Sequence, residues 1–196
     1  MSPVNHFFAY LYRLRFIRRW SLMRNAVPES VAEHSFQVAL LAHALCSIGR
    51  EVFGADVPTE RIVTLALFHD AEEVITGDIP TPVKHHDDHI LGSLRAIEAL
   101  ARERLLGMVP PALAATYRPL LGAGQRDAGL LRWVRAADKL DAYLKCAMEV
   151  AVGNREFAVA QRQLRETLRG LAMPEVDYFL EHFAPSFEKT LDELTE

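Results

Sequence analysis

Apolar residues recur at three- and four-residue spacing along nearly the whole chain, with no convincing alternation of a half-buried strand and no Asn-Gly hairpin. That pattern restricts the fold to helices packed on helices. A stripe of Phe7, Phe8, Leu11, Leu14 and Ile17 predicts a helix over 5–17, and an irregular stretch follows from Arg18 to Glu29. Ser30-Val31-Ala32-Glu33 has the form of a capping box, in which hydroxyl and carboxylate each satisfy an orphan backbone N–H. The helix it opens carries Val31, His34, Val38, Leu41, Ala42 and Leu45 on one stripe, with Gly49 as the expected stop. A third helix starts near Thr59, after Pro58. It runs through Ile62, Leu65, Ala66 and His69, with a bend near Asp70 and an end at Gly77. Pro80 and Pro82 then predict an extended loop over Asp78–Pro82. Further helices are expected over 87–108, 111–121, 127–152, 155–171 and 175–194. The expectation is one all-α domain, residues 1–196, of about eight helices.

The 196 residues suit one domain, and half of them are hydrophobic, which excludes global disorder. A net charge of −4 argues against a nucleic-acid coat or a polybasic membrane binder. Cys46 and Cys146 stand outside any Cys-x-x-Cys motif, so a thiolate zinc finger is excluded and a reducing compartment is expected. No leader pattern and no long uncharged apolar run are evident, which points to the cytoplasm and away from a membrane.

The chemistry lies in polar residues set on apolar stripes. At roughly 100° per residue, His34 falls within about 60° of Val31, Val38 and Leu45. His69 follows Leu65 by four, and Glu73 follows His69 by another four. On the helix over 127–152, Asp138 follows Val134 by four and Asp141 follows Ala137 by four, so periodicity leaves both as candidates. Buried charge costs several kcal/mol unless it is paired or bound to a metal. Inward histidines and carboxylates without thiolate suit Mn²⁺, Co²⁺, Fe²⁺, Ni²⁺, Zn²⁺ or, less well, Mg²⁺. The run His85-His86-Asp87-Asp88-His89 is metal-like in composition, but it sits at a helix start and reads as solvated surface. Arg18, Arg19 and Arg24 near Trp20 suit an oxyanion. No phosphate-binding glycine loop and no Gly-x-Ser-x-Gly elbow is present.

The ordered set His34, His69-Asp70 and Asp138 resembles the metal-dependent phosphohydrolases of the HD-domain superfamily. The surrounding words are more specific. Arg19-Trp20 with Leu22-Met23-Arg24-Asn25, Glu33-His34-Ser35, Phe68 to Val74, Thr76 to Lys84, and Ala136-Ala137-Asp138 with Ala142 to Cys146 resemble the bacterial 5′-deoxynucleotidases of that superfamily over essentially the whole chain. The resemblance implies a helical HD domain with its core near 30–142. It implies one divalent ion, commonly Co²⁺ in assays, on His34, His69, Asp70 and Asp138. Of the two aspartates that periodicity leaves open, it assigns the ligand to Asp138 and a supporting role to Asp141. It implies Glu73 and Asp78 as catalytic carboxylates and Arg19 as the residue that orients the phosphate. Substrate contacts are implied for Arg19, Trp20, Asp70, Asp138 and the segment Asp78, Ile79, Pro80, Thr81. The implied reaction is hydrolysis of deoxyribonucleoside 5′-monophosphates by a base-tolerant homodimer that rejects ribonucleotides. Competing readings are another HD phosphohydrolase, acting on cyclic nucleotides, triphosphates or alarmones, a two-iron oxygenase, and a non-catalytic helical module with a structural metal.

Overall fold

A computed structural model describes residues 4–84, 86–122 and 127–195. Among them are ten α-helices and no strand. They are α1 (Phe7–Leu11), α2 (Val31–Phe53), α3 (Thr59–Leu67), α4 (Glu73–Thr76), α5 (Thr81–Lys84), α6 (Asp88–Gly107), α7 (Ala114–Leu121), α8 (Leu131–Ala151), α9 (Ala158–Gly170) and α10 (Pro174–His182). The all-α expectation holds. The count exceeds eight by two, because 59–77 breaks after Leu67 into α3 and α4 and the expected loop runs into α5; 5–17 also ends as a 3₁₀ turn over Tyr12–Phe16, and 175–194 stops at His182 before Pro185.

Ser30 and Glu33 form the expected reciprocal cap: Ser30 Oγ accepts from Glu33 N–H, and the Glu33 carboxylate accepts from Ser30 N–H. Gly49 is not the helix stop. The helix runs on to Phe53, and Gly54 at φ 67° ends it. Gly49 is small for a different reason: a Cβ there would stand 2.9 Å from Trp133 Cη2, so it marks where α8 meets α2.

α2 is the central helix, packed against α3, α8 and α10. The main core gathers Leu45, Ile62, Leu65, Trp133, Leu140 and Leu144. α2 is long and apolar enough to meet a membrane-span criterion by length and composition, but it serves here as the core helix and carries His34, fully buried. A smaller core of Phe7, Ala71, Leu105, Val109 and Leu121 lies under α4, α6 and α7. Ala71 belongs to that core, which supports the His69–Glu73 turn from behind.

The two prolines do not share one extended loop. Residues 77–80 have no regular secondary structure, but Pro82 sits in the first turn of α5, where a missing N–H costs nothing.

Candidate active site

Three segments converge at the inner end of α2. The capping box fixes the first turn of α2 and so the position of His34. The helical ladder of α3 stops at Phe68, whose φ of −113° and ψ of 6° leave the helical region. That break lets the consecutive residues His69 and Asp70 reach one place, where a regular helix would splay them by about 100°. α8 contributes Asp138 and Asp141.

Both imidazoles are held by Nδ1. His34 Nδ1 lies 2.6 Å from Asp141 Oδ2. His69 Nδ1 lies 2.7 Å from the Ala66 carbonyl oxygen. A carbonyl oxygen only accepts, and the Asp141 carboxylate is an acceptor when ionised, so each Nδ1 carries the proton. In its neutral form each ring presents an Nε2 lone pair, the position a metal would take in place of a second proton. Asp70 Oδ2 is 3.0 Å from His69 Nε2 and 3.4 Å from His34 Nε2, and Asp138 Oδ1 is 3.4 Å from His34 Nε2. Both Nε2 atoms are buried and make no hydrogen bond among the described residues. The donor atoms of His34, His69 and Asp70 lie within 4.8 Å of one another. Two orphaned lone pairs facing two carboxylates are the donor set of a divalent N/O metal site, with Nδ1 partners of the kind that orient metal-ligating histidines.

A second trio, Glu29, His34 and Asp141, is equally close. Its atoms already have partners: Arg19 Nη1 is 2.7 Å from Glu29 and 3.5 Å from Asp141, and Asp141 holds His34. It is an ion-pair network that supports the first trio from behind.

The charges reinforce one another. Burial would lower the proton affinity of His34, but Asp138, Asp141 and Asp70 raise it well above the ordinary value. Burial would raise Asp70, but His69 and His34 hold it well below the carboxylate range. Glu73 behaves oppositely. Burial, then the negative charges of Asp70 and Asp78, push its carboxyl up to about 9, and its Oε2 is buried without a partner. Asp78 is also raised, chiefly by burial, although Arg19 pulls the other way. Gly77, at φ 73° and ψ 168°, turns the chain into Asp78 through a region essentially reserved for glycine.

Trp20 is bulky yet sits at φ 56°, and its indole N–H is buried with no acceptor among the described residues. A side chain held in the left-handed region with an unanswered donor suggests a ligand contact. The Arg19 guanidinium stands 5.9 Å from the Trp20 ring. Ile79 and Pro80 are half-buried and Thr81 is exposed, and none makes a hydrogen bond or ion pair to the histidines or carboxylates described here. A cavity of about 460 Å³ opens beside the centre, lined by His69, Asp70, Glu73, Lys84, Arg95 and Arg135.

His86, Asp88 and His89 are exposed, and Asp87 caps α6 by accepting from Ile90 N–H. The solvated reading of that run holds where it is described, and His85 lies outside the described residues. Sequence reasoning missed Glu29, whose pairing with Arg19 joins two ends of an aperiodic stretch. It also missed Lys84, and the buried pair Lys145–Glu149, which an i,i+4 charge pair on the apolar face of α8 could have signalled.

Residues 6–187 match the family described as 5′-deoxynucleotidase YfbR-like. A 5′-deoxynucleotidase of Photorhabdus laumondii is 47% identical over 192 residues, 98% of either chain. Among solved structures, an HD-domain phosphohydrolase from Listeria innocua superposes with a TM-score of 0.80 at 26% identity, covering 97% of this chain and 95% of that one. A cyanophage S-2L HD phosphohydrolase, bound to dA and one catalytic Zn²⁺, shares the fold with a TM-score of 0.66 at 21% identity, covering 91% of this chain and 96% of that one. With its ordered His and Asp residues gathered at one centre, this chain belongs to the 5′-deoxynucleotidase YfbR-like family.

Proposed function

We propose that this protein is a metal-dependent 5′-deoxynucleotidase that hydrolyses deoxyribonucleoside 5′-monophosphates to deoxynucleoside and phosphate. The observation that carries the reading is the pair of buried, unanswered Nε2 lone pairs facing Asp70 and Asp138, beside a carboxyl held neutral. His34, His69, Asp70 and Asp138 would hold the ion. When bound there, a divalent ion supplies Lewis acidity towards a phosphoryl oxygen and acidifies a water. Zn²⁺, Co²⁺ and Mn²⁺ all suit this donor set.

The chain's own groups supply the rest. Arg19 uses Nη1 on Glu29 and Asp141, which fixes the guanidinium plane and leaves its other N–H groups for a phosphate dianion. Glu73, whose carboxyl is pushed toward its protonated form by burial and by the charges of Asp70 and Asp78, is the acid for the departing 5′-oxygen. Asp78, its proton affinity raised by burial and drawn down by Arg19 and by the Trp20 backbone, closes the sugar side. Trp20 with Ile79, Pro80 and Thr81 forms a stiff wall that leaves a 2′-hydroxyl without space or partner. Base tolerance follows if the base lies beyond that wall. The catalytic unit is the whole chain, centred on 30–142, working as a cytoplasmic homodimer.

Phosphate release by metal-stripped, Zn²⁺- or Co²⁺-reconstituted protein tests this reading. Release from dAMP and dTMP but not AMP supports it. Equal release from AMP removes the sugar wall, and no release from any monophosphate removes the assigned activity. Sedimentation tests the dimer.

A further inference from the structure

The segment Arg18–Glu29 carries Arg19 and Trp20 but has no regular structure of its own. Its neck is closed by Arg19 N–H donating to Glu29 C=O at 3.0 Å and Val31 N–H to Ile17 C=O at 3.0 Å. Its far end is tied to α8. Glu149 accepts from Ala26 N–H at 2.8 Å and Val27 N–H at 3.1 Å. Lys145 donates to the Val27 carbonyl and to Glu149. Asn154 bridges Glu149 and the Arg24 carbonyl, each at 2.7 Å. Lys145 also stands 5.5 Å from the centre of the buried Phe157 ring, and Phe157 packs against Trp20 at 5.4 Å.

Lys145 is 4% exposed and Glu149 2%. A buried ion pair is weak evidence for stability, since an apolar pair of similar volume often serves as well. This one spends most of its hydrogen bonds on the strap backbone. At roughly 100° per residue, Lys145 and Glu149 lie within about 20° of Asp138 around the axis of α8. One stripe of one helix therefore carries a candidate metal ligand and the anchor of the strap that bears Arg19 and Trp20.

Resting on the function proposed above, we infer that Lys145 and Glu149 are positioning residues: they set substrate affinity by fixing the 18–29 strap relative to the metal centre, without touching substrate.

The test is the double variant Lys145→Met/Glu149→Leu, which replaces the pair by apolar groups and avoids stranding one buried charge. Thermal melting, Zn²⁺ affinity, hydrogen exchange at Ala26 and Val27, and dAMP kinetics are read together. The expected result is a cooperative melt, Zn²⁺ affinity within about twofold, lost protection at both amides, and KM for dAMP raised about tenfold or more with kcat within about threefold. Glu149→Gln, which keeps one acceptor oxygen, falls between the double variant and wild type. An unchanged KM despite lost amide protection overturns the inference. So does a parallel fall of kcat, Zn²⁺ affinity and melting temperature, which marks a merely structural pair. Wild-type protein that binds Zn²⁺ but leaves every deoxynucleotide intact refutes the function itself. Wild-type turnover with an unaltered KM in the double variant refutes the positioning role alone.

Discussion

Asp141→Asn isolates what the support behind the metal centre contributes. Asp141 is 5% exposed, with Oδ2 2.6 Å from His34 Nδ1 and 3.5 Å from Arg19 Nη1. Asparagine keeps the volume and leaves a carbonyl oxygen to accept from Nδ1–H, so the ring stays in place. What disappears is the negative charge that makes His34 a better donor. Loss of such a partner typically weakens metal binding about 10- to 100-fold, which is about 1.4–2.7 kcal/mol. Asp141→Ala adds a buried, unanswered Nδ1–H, which costs about 1–3 kcal/mol of folding stability as well. Zn²⁺ affinity is measured by competition with a chromophoric chelator, with a melting curve for each variant. Asp141→Asn is expected to bind one ion, more weakly, with near-native stability. Affinity within twofold of wild type would show that the charge behind His34 does nothing. Loss of the ion altogether would make Asp141 a ligand and reverse its assignment relative to Asp138.

Three further outcomes follow from the packing and the charges. Gly49→Ala drives a Cβ to 2.9 Å from the Trp133 ring and is expected to lower stability by about 1–3 kcal/mol in urea unfolding, as overpacking does. Gly77→Ala forces a side chain into φ 73°, ψ 168°. It is expected to cost about 1–3 kcal/mol and to depress dAMP turnover through misplaced Asp78, with Zn²⁺ stoichiometry unchanged. Burial would raise Glu149, but Lys145, the Ala26 and Val27 N–H groups and Asn154 bring it down to about 2 from 4.5. A lowered carboxylate stabilises the fold above its unfolded value and loses that contribution as pH falls through the folded one. About 3 kcal/mol should therefore vanish between about pH 5 and pH 2, and the Lys145→Met/Glu149→Leu variant should lack that part of the slope in urea midpoints.

What the sequence disclosed follows from what has a period. His34 shared a face with Val31, Val38 and Leu45, and Ser30 with Glu33 announced the start of its helix, so α2 and its inward histidine were legible. Asp138 and Asp141 were not separable, because about 60° of helix arc cannot tell one imidazole nitrogen from the other. In the structure Asp138 faces Nε2 and Asp141 holds Nδ1. Gly49 misled because a small residue serves a close helix approach as readily as a helix end. The break at Phe68 was expected two residues late, near Asp70, since the apolar pattern continues through it while the backbone does not. The i,i+4 pair Lys145–Glu149 was visible on α8, but the 18–29 strap has no period, so nothing in the pattern tied the pair to it or joined Arg19 to Glu29. The arginines beside Trp20 suited an oxyanion, but only the resemblance singled out Arg19 as the one that orients a phosphate.

In the proposed site His34, His69, Asp70 and Asp138 hold an ion, while Glu73 moves a proton without holding it. Equilibrium dialysis against Zn²⁺, paired with dAMP turnover, tests it on wild type, His69→Ala and Glu73→Gln. On this division of roles, one ion per chain is expected in wild type and Glu73→Gln, and a lost or greatly weakened ion in His69→Ala. Neither variant should turn over near the wild-type rate, with Glu73→Gln slowed by about 10²–10⁴-fold. A full-affinity ion in His69→Ala, or a Glu73→Gln protein that loses its ion, would contradict it.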